Sequence, residues 1–406
     1  MFFRIPLKPL FLLLSVFWVS CGFFDLVDDE GIDDDQDNHA FSVRQTSDGG
    51  FIVAGATTDF GPGALEIYLV KLDSEGNEVW AKTYGGDLND AAFSVCETSD
   101  GGYIVTGYIN RGSSMMTSSL LLLKVDASGE ELINTSFDEL NVYGQDTYNE
   151  QGYWVQETSD GGYIAAGIAQ TIATTSLYMV RTDAAGEKTW SALFGGQQDR
   201  GATSIHPTDD GGFVASGYLW QNSIYPTDMY LLKVDSAGTE IWSKSYGSLT
   251  GQEEAMSSFL TTDGGIILAG QTDSTTDVNH YLVKTDSAGN EEWSRIFGEE
   301  NDDWSAAIEQ TSDGGYILVG TTFSDQTQSN DLVLRKLNSN GEEIWRHTFG
   351  QTGDDWGRSV QQTSDGGYIL AGITRLQGEV TYNIFVIRTN SAGDVLWDRV
   401  ITAQDD

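Results

Sequence analysis

Short apolar segments alternate with polar turns along almost the whole chain. One stretch shows the plan, with the segments AAIEQT, YILVGT, DLVLRKL and EIWRHTF at Ala306–Thr311, Tyr316–Thr321, Asp331–Leu337 and Glu343–Phe349. Each segment is rich in residues that strands favour, and Gly, Asn, Asp or Ser separates it from the next. The pattern predicts four short antiparallel strands joined by turns. Turn residues recur too closely for a helix to fit between them.

The turn between the first and second segments is an Asp-Gly-Gly turn, which recurs at intervals of 50 to 60 residues. Its acid stands at Asp48, Asp100, Asp160, Asp210, Asp263, Asp313 and Asp365. Asp-Gly readily adopts the positive φ that tight hairpins need. The second and third segments are apolar on both faces, so neighbouring units must cover each four-stranded unit on both sides. We therefore predict an all-β fold, a seven-bladed β-propeller of four-stranded antiparallel blades over residues 38–402.

A second pattern, Asp/Asn-x-x-Gly-x-x-x-Trp, leads into the fourth segment of the units. Its aromatic residues are Trp80, Trp190, Trp242, Trp293, Trp345 and Trp397. Ile133 replaces the Trp in the second unit, which is also the longest. We expect the contact between blades 2 and 3 to be the weakest in the ring, because a docked Trp buries a large apolar area.

With its seven TSDGGYI…KxDSxGxxxW repeats, the chain resembles the quinoprotein-like, PQQ-type propellers. In that family a tryptophan-docking motif packs an outer-strand Trp against the next blade. The resemblance covers residues 38–402 and implies a structural role for the six Trp residues, although the motif is one residue shorter here between the acid and the Gly. The redox enzymes of that family use eight blades and cofactor-clamping residues that we do not find here, so we expect no quinone cofactor.

The chain is strongly acidic, with a formal charge of −40 from 61 acidic and 21 basic residues. Such a surface repels phosphate backbones, so we expect no nucleic-acid partner. It could instead gather divalent cations. The only two cysteines, Cys21 and Cys96, exclude a disulfide framework.

Residues 1–20 have the pattern of a secretory signal, in which two basic residues precede the apolar run Leu10–Val19. That run is too short to span a bilayer comfortably. The pair Ser20-Cys21 resembles the lipobox of bacterial lipoproteins, which implies that Cys21 is lipidated after cleavage. Trp18 departs from that motif, where a smaller aliphatic residue is usual.

The following residues, 21–37, contain the run DLVDDEGIDDDQD and predict an acidic flexible tether. We expect a lipid-anchored protein at the outer membrane or cell surface, or a secreted protein if Cys21 is not lipidated. The anchor would be the only contact with the membrane. We also expect a monomer.

The two ends of each predicted blade differ in how much they vary. The Asp-Gly-Gly and Asp-x-x-Gly turns lie at one end and are nearly identical in every unit. The loops between the second and third strands lie at the other end and vary, as in TTDFGPGALE, INRGSSMMTS and LWQNSIYPTD. Variable loops on a rigid scaffold are the usual layout of a binding surface.

Ten residues before each landmark Asp, a mostly acidic position begins the first strand. It is Asn38, Asp90, Glu150, Arg200, Glu253, Asp303 and Asp355 in chain order. A sevenfold arrangement would place these residues in a ring around the channel mouth, as a cation site that could hold calcium. The alternative is that each carboxylate accepts hydrogen bonds from backbone amides. Apart from calcium we expect no cofactor.

The next position along each first strand is more selective. Blades 6, 7 and 1 carry there Trp304, Trp356 and His39, and those blades are neighbours once the ring closes. Aromatic rings beside Asp303 and Asp355 predict a patch where a sugar could stack and donate hydroxyl hydrogens. A second aromatic cluster in the blade 4 loop consists of Trp220 and Tyr225. The alternative is that these rings only cover the blade junctions.

Catalytic motifs are sparse. The four histidines show no metal-ligand spacing, and no nucleophile elbow or phosphate loop occurs. We predict no catalytic residue and a non-enzymatic propeller that binds a glycan or a protein at the cell surface through its variable loops. One alternative is a glycosidase with a pair of carboxylates. Another is a scaffold, since a lipidated quinoprotein-like propeller resembles the accessory lipoprotein of the outer-membrane barrel-assembly machinery.

Overall fold

The structure is a computed structural model, and it describes residues 38–58, 65–110, 118–139, 149–171, 173–196, 198–222, 225–248, 251–273, 277–298, 302–324, 328–350, 353–375 and 381–402. Over these ranges the chain forms 28 β-strands and no helix. None of the described residues therefore belongs to a helix that could cross a bilayer. The predicted signal, Cys21 and the acidic tether lie outside the described residues.

The strands form seven consecutive groups of four, which we call blades 1 to 7. Blades 1 to 4 consist of β1 (Asn38–Gln45), β2 (Phe51–Thr57), β3 (Glu66–Leu72), β4 (Glu78–Tyr84); β5 (Asp90–Glu97), β6 (Tyr103–Asn110), β7 (Ser118–Val125), β8 (Glu131–Phe137); β9 (Asn149–Glu157), β10 (Tyr163–Gln170), β11 (Thr175–Thr182), β12 (Lys188–Phe194); β13 (Asp199–Pro207), β14 (Phe213–Asn222), β15 (Tyr225–Val234) and β16 (Glu240–Tyr246). Blades 5 to 7 consist of β17 (Glu253–Leu260), β18 (Ile266–Thr272), β19 (Asn279–Thr285), β20 (Glu291–Phe297); β21 (Asp303–Gln310), β22 (Tyr316–Ser324), β23 (Ser329–Leu337), β24 (Glu343–Phe349); β25 (Asp355–Gln362), β26 (Tyr368–Thr374), β27 (Asn383–Thr389) and β28 (Val395–Ile401).

Each blade is an antiparallel meander in which every strand pairs with the next. The first strands of the seven blades contact one another in a cycle that includes β25 with β1. The fourth strands are the most exposed, and side chains such as Leu396 on β28 face solvent. The first strand is therefore the innermost strand of each blade and the fourth is the outermost, as in the blades of a propeller.

Apolar side chains fill the space between neighbouring blades. Seven buried clusters lie one at each junction, and the cluster of blades 1 and 7 includes Val53 and Val386. Because both faces of β2 and β3 are buried, these strands need the near-continuous apolar sequence that they have. The first blade thus packs on the last, although no strand is shared between them.

The meander puts the ends of each blade at two opposite faces. The start of the first strand and the connection between the second and third strands lie at what we call the loop face. The Asp-Gly-Gly and Asp-x-x-Gly turns lie at the turn face. A clamp orders each Asp-Gly-Gly turn: in blade 2, Asp100 accepts hydrogen bonds from Thr98 (2.6 Å), the amide of Gly102 (3.0 Å) and Lys124 on β7 (2.9 Å). Gly101 between them has φ +80°, which favours glycine.

The Trp residues of the second motif lie on the outermost strands and pack on the next blade. A Cβ built on Gly76 would lie 2.8 Å from the Trp397 ring, and one on Gly129 would lie 3.2 Å from Trp80. The indole N–H of Trp80 donates to the backbone carbonyl of Ala127 at 3.1 Å. The turn glycine has a positive φ, which disfavours any residue with a side chain. The Trp ring packed on it also leaves no room for a Cβ.

The junction of blades 2 and 3 differs from the other junctions in its contacts. Ile133 packs on Gly186 in place of the ring. In addition, β7 and β9 form a parallel bridge between Ser118 and Asn149, which joins the two blades into one sheet. Glu157 also accepts hydrogen bonds from the amide and the hydroxyl of Ser99, at 2.7 and 2.8 Å. Ser47 and Glu97 make the same contact between blades 1 and 2, so the bridge between β7 and β9 is what distinguishes this junction, and its weaker contact stays a prediction.

Blade 6 shows where the predicted strand limits differ from the structure. The fourth strand matches, whereas the first begins earlier, at Asp303. The pattern leaves FSDQTQSN between the second and third segments as a loop, but half of its residues are paired, because β22 continues to Ser324 and pairs there with Ser329. Backbone pairing therefore extends beyond the apolar core. The side chains there are polar, so the sequence pattern does not predict these strand ends.

Candidate functional site

A set of seven residues lies at the loop face, each one residue after the mostly acidic position near the start of its innermost strand. We call it the mouth ring, and it consists of His39, Ala91, Gln151, Gly201, Glu254, Trp304 and Trp356. Its members differ in size and polarity, whereas the residues at the blade junctions repeat. Within the ring, the large aromatic rings are concentrated in blades 6, 7 and 1.

Trp304 and Trp356 lie side by side at this mouth. Their ring centroids are 5.4 Å apart and their planes are inclined by 39°, in a tilted pair that bridges blades 6 and 7. Both residues are half-buried, so part of each ring remains accessible. The structure thus brings together the two Trp residues that the sequence singled out.

His39 and Arg358 extend this pair toward blade 1. The guanidinium of Arg358 lies 6.0 Å from the centre of the Trp356 ring. His39 is buried, stacks on Phe41 at 6.1 Å and lies 6.2 Å from the ring of Tyr382. Burial and the positive charge of Arg358 lower the pKa of His39 to about 4, so His39 is neutral at physiological pH. Burial also lowers the pKa of Arg358 to about 10, which leaves it charged at that pH.

Aromatic side chains fill the channel directly beneath the mouth ring. Phe93 contacts Phe41 of blade 1 at 5.1 Å and Tyr153 of blade 3 at 5.2 Å between ring centroids. Nearer the turn face, Arg44 of blade 1 lies 5.2 Å from the Trp154 ring of blade 3. These blades are not neighbours, so this contact lies near the axis, beside blade 2.

The acidic positions at the strand starts are buried, with 0 to 2% exposure for Asn38, Asp90, Glu150, Glu253, Asp303 and Asp355. Asp90 accepts hydrogen bonds from the amides of Gly86 and Asn110, both at 2.8 Å. Glu253 accepts them from the amide of Ser248 (3.0 Å) and the hydroxyl of Thr272 (2.8 Å). These carboxylates order the backbone at the blade junctions.

Three other residues at the strand starts also have partners or neighbours within the protein. Asp303 lies 3.9 Å from both His280 and Arg335, in a buried cluster. Burial and the nearby acids Asp138 and Glu139 raise the pKa of Glu150 to about 8. Arg200 departs from the set, since its guanidinium lies over the ring of Tyr230 and donates to its hydroxyl at 3.1 Å.

A sevenfold cation site gains no support from this arrangement. Within the described ranges, no three or more acidic, His or Cys side chains are grouped as they would be around a metal ion. Asp302 and Asp354, beside the Trp pair, are likewise engaged: they accept hydrogen bonds from the amides of Val278 (2.8 Å) and Asn330 (3.0 Å). Asp354 also pairs with Arg375.

The second predicted aromatic cluster is only partly defined. Trp220 is half-buried on β14, and the backbone of Tyr225 begins β15 opposite Asn222. The side chain of Tyr225 lies outside the described residues. Trp220 is in blade 4, whereas the Trp pair is in blades 6 and 7.

Arg358 is the residue of this site that the sequence reasoning missed. The equivalent innermost-strand positions of the other blades hold Phe41, Phe93, Tyr153, Thr203, Met256 and Ala306. A charged residue in this otherwise uncharged series is a detectable exception. The search of the sequence used positions that recur in every copy and positions that hold aromatic residues, and Arg358 belongs to neither group.

Comparison with known proteins defines the fold more clearly than the function. No protein-family model and no curated protein matches the sequence. Solved structures do match. The WD40 domain of Pan2 from Neurospora crassa has a TM-score of 0.50 and 13% identity, over 82% of this chain and 85% of that chain. The chain has a β-propeller fold.

Two further propeller-like matches are enzymes by description. A polysaccharide lyase, an ulvan lyase bound to -[GlcA(1-4)Rha3S]-, has a TM-score of 0.52 and 9% identity, over 90% of this chain and 96% of that chain. Puromycin hydrolase has a TM-score of 0.51 and 13% identity, over 90% of this chain but 54% of that chain. At these identities the likeness is one of fold alone. The resemblance to the quinoprotein-like propellers stays a prediction.

Proposed function

We propose that this chain is a closed seven-bladed β-propeller that binds a glycan at the loop face, and that it does so without catalysis. The observation that carries the proposal is the half-exposed pair Trp304 and Trp356, 5.4 Å apart at the channel mouth. The packing of blade 1 on blade 7 supports the closed ring.

Partly exposed indole rings suit a sugar because the apolar face of a pyranose covers aromatic surface while its hydroxyls remain hydrated. The six docked Trp residues on the outermost strands are engaged by the next blade. Trp304 and Trp356 instead contact each other at the mouth, and both are half-buried. A concave mouth with aromatic walls and a few polar groups is a common form of small-ligand site.

The carboxylates at this mouth favour binding over hydrolysis. A glycosidase needs two carboxyl groups that face the substrate, about 5 to 10 Å apart. Asp302 and Asp354 instead accept backbone amides of the preceding blades, and Asp303 and Asp355 are buried.

We further propose that Cys21 carries a lipid and that residues 21–37 hold the propeller away from the membrane. An extended tether of this length reaches roughly 60 Å. Proteolysis of intact cells would distinguish a surface protein, which is cleaved, from a periplasmic assembly scaffold, which is protected. Lipid labelling that is lost in Cys21→Ser would support the anchor.

A glycan array tests the main proposal. Wild type should bind at least one glycan, and Trp304→Ala/Trp356→Ala should lose at least about tenfold in affinity because stacked rings contribute roughly 1–3 kcal/mol. Trp220→Ala separates the two predicted aromatic clusters: a glycan at the Trp pair predicts unchanged affinity, whereas a loss only in this variant would place the glycan in blade 4 and contradict the proposal. Unchanged thermal unfolding would show that each variant is folded. Equal binding by the double variant, or no glycan binding by wild type, would exclude the proposal.

A further inference from the structure

Two buried polar atoms beside the Trp pair have no hydrogen-bond partner among the described residues. They are Nε1 of Trp356 and Nε2 of His39. The indole N–H can only donate, and Nε2 of a neutral imidazole donates in one of its two tautomers. Leaving a buried donor unpaired is unfavourable, so a built site with such atoms calls for an acceptor.

A positive charge lies next to these two atoms. The guanidinium of Arg358 is 6.0 Å from the centre of the Trp356 ring, and its charge acts on His39. A chain with 21 basic and 61 acidic residues places this Arg at an innermost-strand position that is uncharged in the other six blades. A repeat preserves what its architecture needs, so this exception points to a role outside the architecture.

The nearby Arg375 is different in kind. It forms an ion pair with Asp354 and stacks over Tyr382 at 5.3 Å. Its charge is balanced by that carboxylate at the rim. Arg358 belongs to the innermost strand instead, and its guanidinium lies over the Trp356 ring.

We propose that the mouth ring binds saccharides that carry an anionic group, a carboxylate or a sulfate, with the anion at Arg358, Trp356 Nε1 and His39 and the sugar ring against Trp304. This inference rests on the proposed glycan-binding function and names the ligand class. A cation flanked by N–H donors complements anionic oxygens, and such charge-assisted hydrogen bonds are stronger than neutral ones. Three carboxylates could oppose the anion: Asp302 and Asp354 accept backbone amides, and Glu254 of the mouth ring lies in blade 5, two blades away from Trp356 and Arg358.

Calorimetry with three matched oligosaccharides tests the inference. The probes are trigalacturonate, a sulfated galactotriose and neutral galactotriose, all at one ionic strength. Wild type should bind at least one anionic probe about tenfold more tightly than the neutral one. Tighter binding of trigalacturonate would identify a carboxylate as the ligand group, and tighter binding of the sulfated galactotriose would identify a sulfate. Arg358→Gln should abolish the preference, and Arg358→Lys should keep part of it.

The matched control is Arg295→Gln. Arg295 also stacks on a Trp, with its guanidinium 5.3 Å from the Trp293 ring, but it lies on the outermost strand of blade 5. It should keep the wild-type preference. Because Arg358 is buried and its replacement could unfold the chain, Trp356→Phe provides a second test. It retains a ring and removes the N–H donor, so it should weaken the anionic probe severalfold more than the neutral one.

Two results separate this inference from the function on which it rests. Equal affinity of wild type for anionic and neutral probes would overturn the inference and leave glycan binding intact. Failure to bind any glycan in the array would overturn both. An anionic preference that survives in folded Arg358→Gln, or an equal loss for both kinds of probe in Trp356→Phe, would also overturn the inference.

Discussion

The indole N–H of Trp397 donates to the backbone carbonyl of Ser74 at 3.2 Å, although the two residues are 323 positions apart. The contact joins the last blade to the first and repeats the contact of Trp80 with Ala127 between blades 1 and 2. The closing junction thus uses the same docking geometry as the internal ones. It differs from them in one respect, since no chain crosses directly from blade 7 to blade 1.

This difference predicts that Trp397→Ala destabilises the protein more than Trp80→Ala does. At the internal junction the covalent crossing keeps the blades together after the ring is removed, which limits the entropy gained on opening. We expect losses of about 2–4 kcal/mol for Trp397→Ala and less for Trp80→Ala. Denaturant unfolding measures both, and Trp397→Phe should retain part of the packing. A larger loss for Trp80→Ala would contradict this role of Trp397 in closure.

Ile133 offers the reverse substitution. It packs on Gly186 where the other blades place a Trp, and the backbone carbonyl of Ala184 corresponds to the acceptor at Ser74. Ile133→Trp should therefore stabilise the fold by about 1 kcal/mol through added apolar burial and one hydrogen bond. Thermal unfolding is the measurement, with Trp80→Ile as the matched loss. A lower melting temperature for Ile133→Trp would contradict this prediction and show that the junction with the β7–β9 bridge has no room for the larger ring.

The Asp–Lys clamps predict a loss of stability in acid. The hydrogen bond from Thr98, followed by those from Lys124 and Gly102, lowers the pKa of Asp100 to about 2 from 3.8. Because the folded pKa lies below the unfolded one, the clamp stabilises the fold above about pH 4 and loses its contribution as pH falls toward 2. Asp100 is largely exposed, so each clamp contributes about 1 kcal/mol or less. The unfolding free energy should fall less between pH 5 and pH 2.5 in Asp100→Asn than in wild type. The same pH dependence in both proteins would argue against the clamp.

Glu150 predicts an effect of opposite sign in base. Its folded pKa of about 8 lies above the ordinary 4.5, because burial and the nearby acids disfavour its ionised form. The folded state therefore holds the proton more tightly, and stability falls as pH rises from 4.5 toward 8. Glu150→Gln is neutral at every pH, so its stability relative to wild type should increase between pH 5 and 9. A difference that stays constant over that range would show that Glu150 does not titrate in this way.

The sequence predicted the repeat and the role of its recurrent residues better than the site. Asp-Gly-Gly turns and Trp motifs depend on local backbone conformation and on contacts between equivalent positions, and the sequence shows the turn seven times and the Trp six times. At the mouth ring the copies differ, so each residue there occurs once and the repeat gives no further evidence for its role. His39 illustrates the limit, because the sequence placed it beside Trp356 but could not show that burial and Arg358 keep it neutral.

The carboxylates show a second limit. Acids at the strand starts were compatible with a cation site or with backbone hydrogen bonds, and the sequence carried no signal to separate these. The structure shows Asp90 accepting the amides of Gly86 and Asn110, whose positions depend on the conformation of two separate connections. Such partners are four and twenty residues away, and only the folded chain brings them together.

A crystal structure of the propeller with a glycan selected on the array tests the central claim most directly. The account predicts a sugar ring in van der Waals contact, about 4 Å, with Trp304 or Trp356 at the loop face. If the glycan carries an anionic group, that group should lie within hydrogen-bond distance of Arg358 or Trp356 Nε1. A glycan bound at the turn face or along the outermost strands, with the Trp pair uncovered, would contradict the account.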